Sequence, residues 1–596
     1  MSEFALGESV TLPKERLFRR YRKLLFQYLK PQMGQVILMA ALLLAGIGLQ
    51  LVNPQVIRYF LDTAQAGGDI SRLSAAAGVF IAFAILHELM RLAANYTSQN
   101  VAWTATNRLR TDLTLHLLRL DMPFHKVHTP GELIERVDSD VTNMANFFSQ
   151  FSVRVLGNLL LVLGILALLF RENGWVGLGM LGYTVLVALA LGQIQKLAVP
   201  RWVASRQAAA EQFGFIEERI SGAEEIRAVG AEAHMLRRLY ALMRVFLQKE
   251  RAAWVFNSLT YNLTNLVYVI GYAVGLAVGV FLYTRGEASL GTAYLIVYYI
   301  GMLEAPLQGL REQVEDLQRA AASIQRVDEF LALRPAVRSP ERDALLLPHG
   351  PLSVAFENVS FRYDENENVL NNVSFDIQPG RVLGILGRTG SGKSTLTRLL
   401  FRLYDPGAGA VLLGGVEIHR AALTDLRQRV GMVTQDVQLF QATVRDNLTF
   451  FNPRIRDEQI RRVLVELRLW NWVRSLPEGL DTPLAAGGQG LSAGEAQLLA
   501  FTRVFLKDPG LVVLDEASSR LDPATETLME RAVSKLFEGR TGVVIAHRLK
   551  TVQRADDILI LEDGQVAEYG PREALARDPR SRFYSLLQTG LEEALA

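Results

Sequence analysis

The sequence predicts a helical polytopic membrane domain with six transmembrane helices, followed by an α/β domain of the P-loop type. Three observations lead to this fold class. Six apolar runs of membrane length lie within the first 310 residues of the chain. Short β-rich runs with glycine-containing turns begin at Ser353, and a glycine-rich phosphate-binding motif follows one of them. A length of 596 residues also exceeds what one compact domain holds, so two parts are expected.

The composition agrees with a membrane part joined to a soluble part. Half of the residues are hydrophobic and the mean hydropathy is +0.16, which is high for a soluble protein. Charged residues make up 21%, too many for a chain that lies wholly in lipid. The net charge of +2 gives no reason to expect a nucleic-acid partner. The absence of cysteine excludes disulfides, thiolate nucleophiles and Cys-ligated metals.

The apolar runs approach the ~20 residues that a helix needs to cross a bilayer. A buried core helix would explain any one of them, but it explains six together poorly. The runs are Val36–Phe60, Leu73–Leu92, Val153–Phe170, Trp175–Leu191, Leu259–Leu282 and Leu290–Leu310.

The charges and connections predict an orientation. Seven lysines and arginines lie between Lys14 and Lys30, so the positive-inside rule places this flank in the cytoplasm. An even number of spans returns the C-terminal half there, giving a multi-pass cell-membrane protein with both termini cytoplasmic. The long polar connections Asn95–Gln150 and Gly192–Ser258 fall on the same side, so the helices extend into the cytosol. Prolines mark a linker at 335–352 between a membrane domain at 1–334 and a nucleotide-binding domain at 353–596.

The strongest motif is G-x-x-x-x-G-K-[ST], which begins at Gly387 between the strand-like run Val382–Leu386 and a helical run. Its glycines let backbone N–H groups wrap phosphates, and the helix N-terminus adds a positive dipole. Lys393 supplies charge to the β- and γ-phosphates, and the Ser394 hydroxyl is a ligand for Mg²⁺. The predicted nucleotide-binding residues here are Gly387, Thr389, Gly390, Ser391, Gly392, Lys393, Ser394 and Thr395.

A second motif is the apolar run that begins at Leu511 and ends in Asp515 and Glu516. Asp515 is expected to hold Mg²⁺ through water, and Glu516 is expected to act as the general base on the attacking water. Such a strand end would by itself indicate a solvated acidic turn. Downstream of a P-loop, the catalytic interpretation is favoured.

With these two motifs, the chain resembles an exporter-type half-transporter of the ATP-binding cassette (ABC) superfamily, and the resemblance extends over its whole length. The resemblance implies roles for further residues in the family's order. Tyr363 would stack on adenine, Gln435 would contact Mg²⁺ and sense the membrane domain, and His547 would contact the γ-phosphate. Alone, Tyr363 would be a half-buried strand residue and His547 a structural strand-end histidine, so their order around the P-loop carries the argument.

The resemblance also implies a partner. In this family ATP lies between one subunit's P-loop and the other subunit's signature loop, which here is Leu491–Glu495. Ser492 and Gly494 would therefore bind the partner's ATP, and Ser519–Asp522 would link the two sites. In the membrane domain, Phe124–Leu133 and Glu217–Glu232 resemble the regions of the two cytosolic coupling helices, and the N-terminal flank resembles an elbow helix.

The signature departs from the usual Leu-Ser-Gly-Gly-Gln. Ala493 adds a Cβ where backbone approaches phosphate, and Glu495 adds a negative charge near it. A tolerated variant is the alternative to an impaired signature. The preceding Thr482–Ala486 also lacks the two carboxylates that family members often have. Because the P-loop is intact and the signature altered, a heterodimer is favoured over a homodimer, the general default.

The predicted function is ATP-driven export or lipid flipping by alternating access. The substrate would be an amphipathic small molecule, lipid or peptide. His87, Glu88, Arg91 and Glu304 lie within the spans, where charge is expensive and a functional role is the default, although Glu88 could simply pair with Arg91. Several tyrosines could line a cavity or pack between helices: Tyr268, Tyr272, Tyr294, Tyr298 and Tyr299. An ATP-gated channel or sensor is the alternative function, and the spans exclude a purely soluble ATPase.

Overall fold

The computed structural model describes residues 26–340, 343–363, 368–434, 437–488, 490–515, 523–546 and 552–589. The chain divides into two compact units. The first unit comprises Met1–Leu118 and Pro130–Leu333. The second comprises Arg334–Ala596 together with the short segment Arg119–Thr129.

The first unit is helical. Two π-helical segments, Arg136–Asp140 and Phe151–Leu156, interrupt its α-helices. The α-helices of the chain up to residue 332 are α1 (Met33–Gln65), α2 (Ile70–Arg119), α3 (Met122–Val127, in the second unit), α4 (Pro130–Glu135), α5 (Val141–Gln150), α6 (Gly157–Glu172), α7 (Gly174–Ser221), α8 (Ala223–Val229), α9 (Glu232–Thr284), α10 (Leu290–Met302) and α11 (Glu304–Ala332).

Five helical stretches in the described residues are long and apolar enough to cross a membrane. They are Phe26–Gln65, Ile70–Arg119, Arg154–Glu172, Glu232–Thr284 and Leu290–Leu310. The fourth predicted span lies in α7, whose described apolar part, Gly174–Val187, is shorter, so the count of six stays a prediction. Helix α2 has 50 residues and α9 has 53. At 1.5 Å per residue each is about 75 Å or more, against a hydrocarbon core of ~30 Å, so these helices continue past the bilayer.

Pro306 explains the break between α10 and α11. A proline has no N–H, so the carbonyl of Met302 loses its donor four residues on, and the helix is interrupted at Leu303. The helix is therefore broken one turn before Pro306. Around this break, Leu295, Tyr299 and Leu303 are fully buried in the core of the membrane unit.

Polar side chains join the ends of the apolar helices. The Asp62 carboxylate, near the end of α1, accepts hydrogen bonds from the Ser289 hydroxyl at 2.9 Å and the Gly291 N–H at 2.8 Å. Ser289 also caps α10, because its hydroxyl accepts from the Thr292 N–H. Arg58 of α1 pairs with Glu172 at 2.7 Å, at the end of α6. These contacts fix α1, α6 and α10 to one another.

A buried carboxylate fixes the π-helical segment to α11. Asp140 is 2% exposed and accepts hydrogen bonds from the Ser323 hydroxyl at 2.8 Å and from Arg326 Nε at 2.9 Å. Burial by itself would raise the pKa of Asp140, but the hydrogen bonds from Arg326 and Ser323, with the charges of Arg326 and Arg136, hold that pKa below its ordinary value. The charged carboxylate is thus the form that the fold requires.

The described residues of the second unit form two sheets. Its strands are β1 (Val354–Phe361), β2 (Leu370–Ile377), β3 (Val382–Leu386), β4 (Ala408–Leu413), β5 (Val416–Glu417), β6 (Val430–Val433), β7 (Leu511–Asp515), β8 (Thr541–Ile545), β9 (Asp557–Glu562) and β10 (Gln565–Pro571). Its helices after residue 390 are α12 (Lys393–Leu400), α13 (Leu423–Arg429), α14 (Val444–Thr449), α15 (Asp457–Glu466), α16 (Trp470–Ser475), α17 (Ala493–Lys507), α18 (Pro523–Phe537), α19 (Arg572–Leu575) and α20 (Arg582–Thr589).

The larger sheet sets the position of the site. Its strand order is β10-β9-β3-β8-β7-β6, and all pairs from β9 to β6 are parallel. Every residue of β3 and β8 is buried, because apolar clusters cover both faces of the sheet. The smaller sheet, β2-β1-β4-β5, is antiparallel. The predicted α/β domain is confirmed, and the carboxyl ends of the parallel strands meet at one edge.

Candidate functional site

The glycines of the phosphate-binding loop connect β3 to α12. Gly387, Gly390 and Gly392 have φ values of +151°, +88° and +104°, which side chains disfavour. A Cβ on Gly387 would lie 2.4 Å from the carbonyl oxygen of Leu561, and one on Gly392 would lie 2.7 Å from the Leu370 side chain. At Gly390, by contrast, no described atom lies within 4 Å of that position. Two glycines therefore allow the loop to pack, and the third leaves its outer side open.

Two polar groups inside the loop fit phosphate oxygens. Lys393 is 6% exposed, and its ammonium donates to the carbonyls of Gly387 at 2.5 Å and Arg388 at 2.8 Å. The Ser391 hydroxyl is buried and finds no hydrogen-bond partner among the residues that the structure describes. A buried unsatisfied donor beside a buried cation is what a bound phosphate would complete.

The remaining loop residues surround this pair. Thr389 and Ser394 are exposed, and Ser394 is the second residue of α12. Its hydroxyl is thus at the helix N-terminus, where a phosphate-bound Mg²⁺ would be expected. Thr395 is buried, and its hydroxyl lies 3.1 Å from the Tyr363 hydroxyl.

Tyr363, the predicted adenine-stacking residue, is fixed to the P-loop helix and to the segment 119–129. Its hydroxyl also accepts from Arg398 at 2.8 Å, and its ring lies edge-on to Tyr404 at 5.2 Å. The Lys126 ammonium of α3 lies 5.1 Å from the centre of the Tyr363 ring. Helix α3 is the short helix at the position of the predicted first coupling region, and α8 is the short helix in the second.

The strand edge brings the acidic motif toward the P-loop. Asp515 ends β7 and pairs with Ile545 of β8, which in turn is the neighbour of the P-loop strand β3. Glu516, His547 and Gln435 lie outside the described residues. In sequence they follow the carboxyl ends of β7, β8 and β6 by one or two residues.

Helix α17 holds the chain on both sides of Gln435. The Gln497 amide donates to the Thr434 carbonyl at 3.3 Å, and Arg503 donates to the Gln438 carbonyl at 2.9 Å. Arg503 also donates to the Asn447 carbonyl at 2.7 Å, and its burial lowers its pKa to about 10. The helix that begins at the signature loop is therefore joined to the segment that contains Gln435.

The signature loop ends in a capping box at the start of α17. The Ser492 hydroxyl accepts from the Glu495 N–H, and the Glu495 carboxylate accepts from the Ser492 N–H at 2.7 Å and its hydroxyl at 2.9 Å. The second carboxylate oxygen accepts from the Trp472 indole N–H at 2.6 Å. Ala493 is exposed and Gly494 is buried. Sequence reasoning missed Trp472, because nothing in its surroundings on α16 marks it.

The membrane unit contains a cavity of about 280 Å³ between α1, α2 and α6. Its lining combines apolar residues with the polar side chains of Gln50, His87, Arg91, Asn95, Arg154 and Asn158. Arg91 pairs with Glu88 at 2.7 Å, as the sequence suggested, and His87 lies 3.0 Å from the Gly46 carbonyl.

The tyrosines of the spans differ in burial. Tyr268 and Tyr299 are 4% and 0% exposed, and the Tyr299 hydroxyl donates to the Leu51 carbonyl at 2.8 Å. These two pack between helices. Tyr272, Tyr294 and Tyr298 are 37–40% exposed.

A P-loop α/β domain on the same chain as a polytopic helical domain defines the class of ATP-binding membrane transporters. Two family models match the chain: "ABC transporter transmembrane region" at residues 36–307 and "ABC transporter" at residues 370–519. An uncharacterised ABC transporter ATP-binding protein of Bacillus subtilis is 30% identical, over 94% of this chain and 92% of that protein. An ATP-dependent lipid A-core flippase of Pseudomonas fluorescens is 30% identical, over 96% of each chain.

The fold also has a counterpart among solved structures. The structure of a bacterial Atm1-family ABC exporter with ATP bound superimposes with a TM-score of 0.79, covering 94% of this chain and 98% of that chain at 22% identity. The chain belongs to the ABC transporter family, and it is an ATP-hydrolysing exporter-type half-transporter with a multi-pass membrane domain.

Proposed function

We propose that this chain moves an amphipathic substrate across the cell membrane by alternating access, as one of two subunits that clamp ATP between them. The membrane domain is 1–334, the linker 335–352 and the nucleotide-binding domain 353–596, with that domain and both termini in the cytoplasm. The observation that carries the proposal is the buried Lys393 ammonium beside the unsatisfied Ser391 hydroxyl, at the N-terminus of a helix. This arrangement suits a nucleotide's phosphates.

Each predicted site residue has a role in the proposal. Gly387, Thr389, Gly390, Ser391, Gly392, Lys393 and Thr395 bind the phosphates, and Tyr363 stacks on adenine. Ser394, Gln435 and Asp515 would hold Mg²⁺, which would neutralise phosphate charge when bound. Glu516 takes the proton from the attacking water, and His547 contacts the γ-phosphate. Ser492 and Gly494 serve the ATP of the partner subunit.

The decisive experiment changes the general base. Glu516→Gln should lower ATP turnover by about 10²–10⁴-fold while leaving ATP binding intact, because only proton abstraction is lost. Glu562→Gln is the matched control, since Glu562 also ends a strand of the same sheet but is exposed and paired with Arg582. Near-normal turnover in Glu516→Gln, measured in nanodiscs, would contradict the assignment.

We propose a heterodimer rather than a homodimer for the working transporter. The chain combines a complete P-loop with an altered signature, so a partner with an unmodified signature would complete the better of the two sites. The test is to purify this chain alone and measure its assembly and ATPase activity. A stable homodimer that hydrolyses ATP and transports substrate in vesicles would exclude a required partner.

The substrate proposed here combines an apolar body with a polar or anionic group. The cavity between α1, α2 and α6 supports this, because two arginines and three amides share it with apolar side chains. The lipid A-core flippase relative acts on a molecule of that chemistry by its name. A panel of lipids, drugs and peptides in a substrate-stimulated ATPase assay tests the proposal, and stimulation only by non-amphipathic molecules would contradict it.

A further inference from the structure

The signature serine has its hydrogen bonds occupied within its own subunit. A serine hydroxyl carries one proton. In this structure it is donated to the Glu495 carboxylate at 2.9 Å, while the Ser492 backbone N–H donates to the same oxygen at 2.7 Å. A γ-phosphate that approached Ser492 would need that proton and would meet the carboxylate's negative charge. The carboxylate therefore takes the place that phosphate would have.

Trp472 explains why a carboxylate suits this position better than an amide. The carboxylate offers acceptors on both oxygens: one for Ser492 and one for the Trp472 indole N–H at 2.6 Å. A glutamine at 495 has one acceptor oxygen and one NH₂ group. If its oxygen faced Ser492, its NH₂ would face the indole N–H, and two donors would oppose each other. If the glutamine amide were turned the other way, its NH₂ would face Ser492, and the Ser492 N–H would lose its acceptor.

The three side chains thus form a matched set whose members come from two helices. Trp472 and Glu495 are both half-buried, and the donors described around the carboxylate are all neutral. No described cation cancels its charge by a salt bridge, so the charge remains available to repel phosphate. Hydrogen bonds to an ionised group are stronger than neutral ones, so the set holds Ser492 firmly.

We propose that Glu495, held by Trp472, is a positioning residue whose carboxylate keeps Ser492 hydrogen-bonded within its own subunit. The γ-phosphate of the partner's ATP then has to displace this carboxylate before the two subunits close around the nucleotide. The inference rests on the proposed function, in which this signature loop serves ATP on the partner's P-loop. The consequence is a higher ATP requirement at the site completed by this signature than at the site completed by a signature with glutamine.

The test measures the ATP concentration that half-saturates turnover in the purified full-length transporter, with its partner subunit where it needs one. The double variant Trp472→Phe/Glu495→Gln should lower that concentration by about tenfold, the scale of one hydrogen bond to a charged group. Glu495→Gln alone should lower it less, because its amide still opposes the indole N–H. Trp472→Phe alone should change it little, because the carboxylate keeps Ser492.

The pattern of the four proteins distinguishes this role from a structural one. If the carboxylate only capped α17, Glu495→Gln would raise the ATP requirement or leave it unchanged. The effects of Glu495→Gln and Trp472→Phe would then also be additive in the double variant. Either of these two results overturns the inference. Glu458→Gln, an exposed glutamate of α15, controls for the loss of one negative charge. If the double variant does not purify, the isosteric Glu495→Gln decides by its direction alone.

The same assay separates this inference from the proposed function. Lys393→Ala should abolish turnover at the site that this chain's own P-loop forms, in every background. Turnover at that site that survives Lys393→Ala contradicts the proposed site itself. Turnover that depends on Lys393 but keeps its ATP requirement in both Glu495 variants contradicts only the role of Glu495 and Trp472.

Discussion

The P-loop and the signature loop of this chain are built alike and charged oppositely. Each loop precedes a helix, and the first backbone N–H groups of that helix point toward the loop. In each loop a polar side chain is held by hydrogen bonds. Lys393 of the P-loop donates to two neutral carbonyls, and the neighbouring Ser391 hydroxyl is unsatisfied among the described residues. Ser492 of the signature donates to the carboxylate of Glu495. One helix N-terminus thus carries a cation beside an unsatisfied hydroxyl, and the other carries an anion that already binds its serine.

The comparison shows that a helix N-terminus alone does not make a phosphate site. Its dipole contributes a modest partial charge, which a single carboxylate in the first turn offsets. The side chains of the first turn therefore decide whether the helix attracts phosphate. In this chain they differ by two charges, Lys393 against Glu495, between two otherwise similar helix starts.

The largest effect should follow from removing the positive charge of the P-loop. Lys393→Ala should weaken ATP binding by about 100-fold, because a charge-assisted contact to the phosphates is lost. Equilibrium binding of a fluorescent ATP analogue measures this, with Lys535→Ala on the exposed face of α18 as the control. Unchanged affinity would mean that the electrostatic contrast between the loops has no role in binding.

The backbone of the two loops should also respond differently to a methyl group. Gly387→Ala should destabilise the fold by about 3 kcal/mol, since it combines a disfavoured φ with a backbone oxygen at 2.4 Å. Gly490, just before the signature, also has a positive φ of +96°, but no described atom lies within 4 Å of its Cβ position. Gly490→Ala should cost only about 1–2 kcal/mol. Thermal unfolding of both variants checks the difference, and equal losses would contradict it.

Asp140 sharpens the comparison, because it is a buried carboxylate whose partners include a cation. Asp140→Asn should destabilise the membrane unit by about 2 kcal/mol, since Arg326 loses its charge partner. The pKa of Asp140 is lower in the folded than in the unfolded state. The stabilisation that the charged carboxylate contributes to the fold is therefore complete above the unfolded-state pKa of about 4, and it is lost as the pH falls through the folded-state pKa.

The measurement for Asp140 is thermal unfolding of the wild type and the variant across the acidic range. Their difference should begin to shrink below about pH 4, where the carboxylate of the unfolded chain becomes protonated, and should go on shrinking until the pH has passed the lower folded-state pKa. Asp138→Asn is the control, because Asp138 is exposed on the same π-helical segment. A difference that grows on acidification would show that the ion pair with Arg326 is not what stabilises the wild type.

The smallest effect concerns the adenine side of the P-loop. Tyr363→Phe removes hydrogen bonds to Thr395 and Arg398 but keeps the ring, so ATP affinity should fall by only about threefold. Tyr363→Ala, which also removes the stacking surface, should lower it further. Equal losses in the two variants would assign the effect to the hydroxyl rather than to the ring.

The sequence by itself determined the two-part architecture, the P-loop and the acidic strand end. These features are local: apolar runs, a loop of defined spacing and a strand that ends in carboxylates require only neighbouring residues. The kink near Pro306 was predictable for the same reason, because a missing N–H acts on the same helix.

Only the tertiary structure decided which side chains meet across the chain. Trp472 reaches Glu495 from another helix, Lys126 lies against Tyr363, and Arg326 reaches Asp140 from 186 residues away. Periodicity indicates which face of a helix is buried, but it does not say which partner that face contacts or how far a side chain extends. The altered signature could be read from the sequence as a charge. That its carboxylate also accepts a hydrogen bond from the Trp472 indole follows only from the packing of α16 against the start of α17.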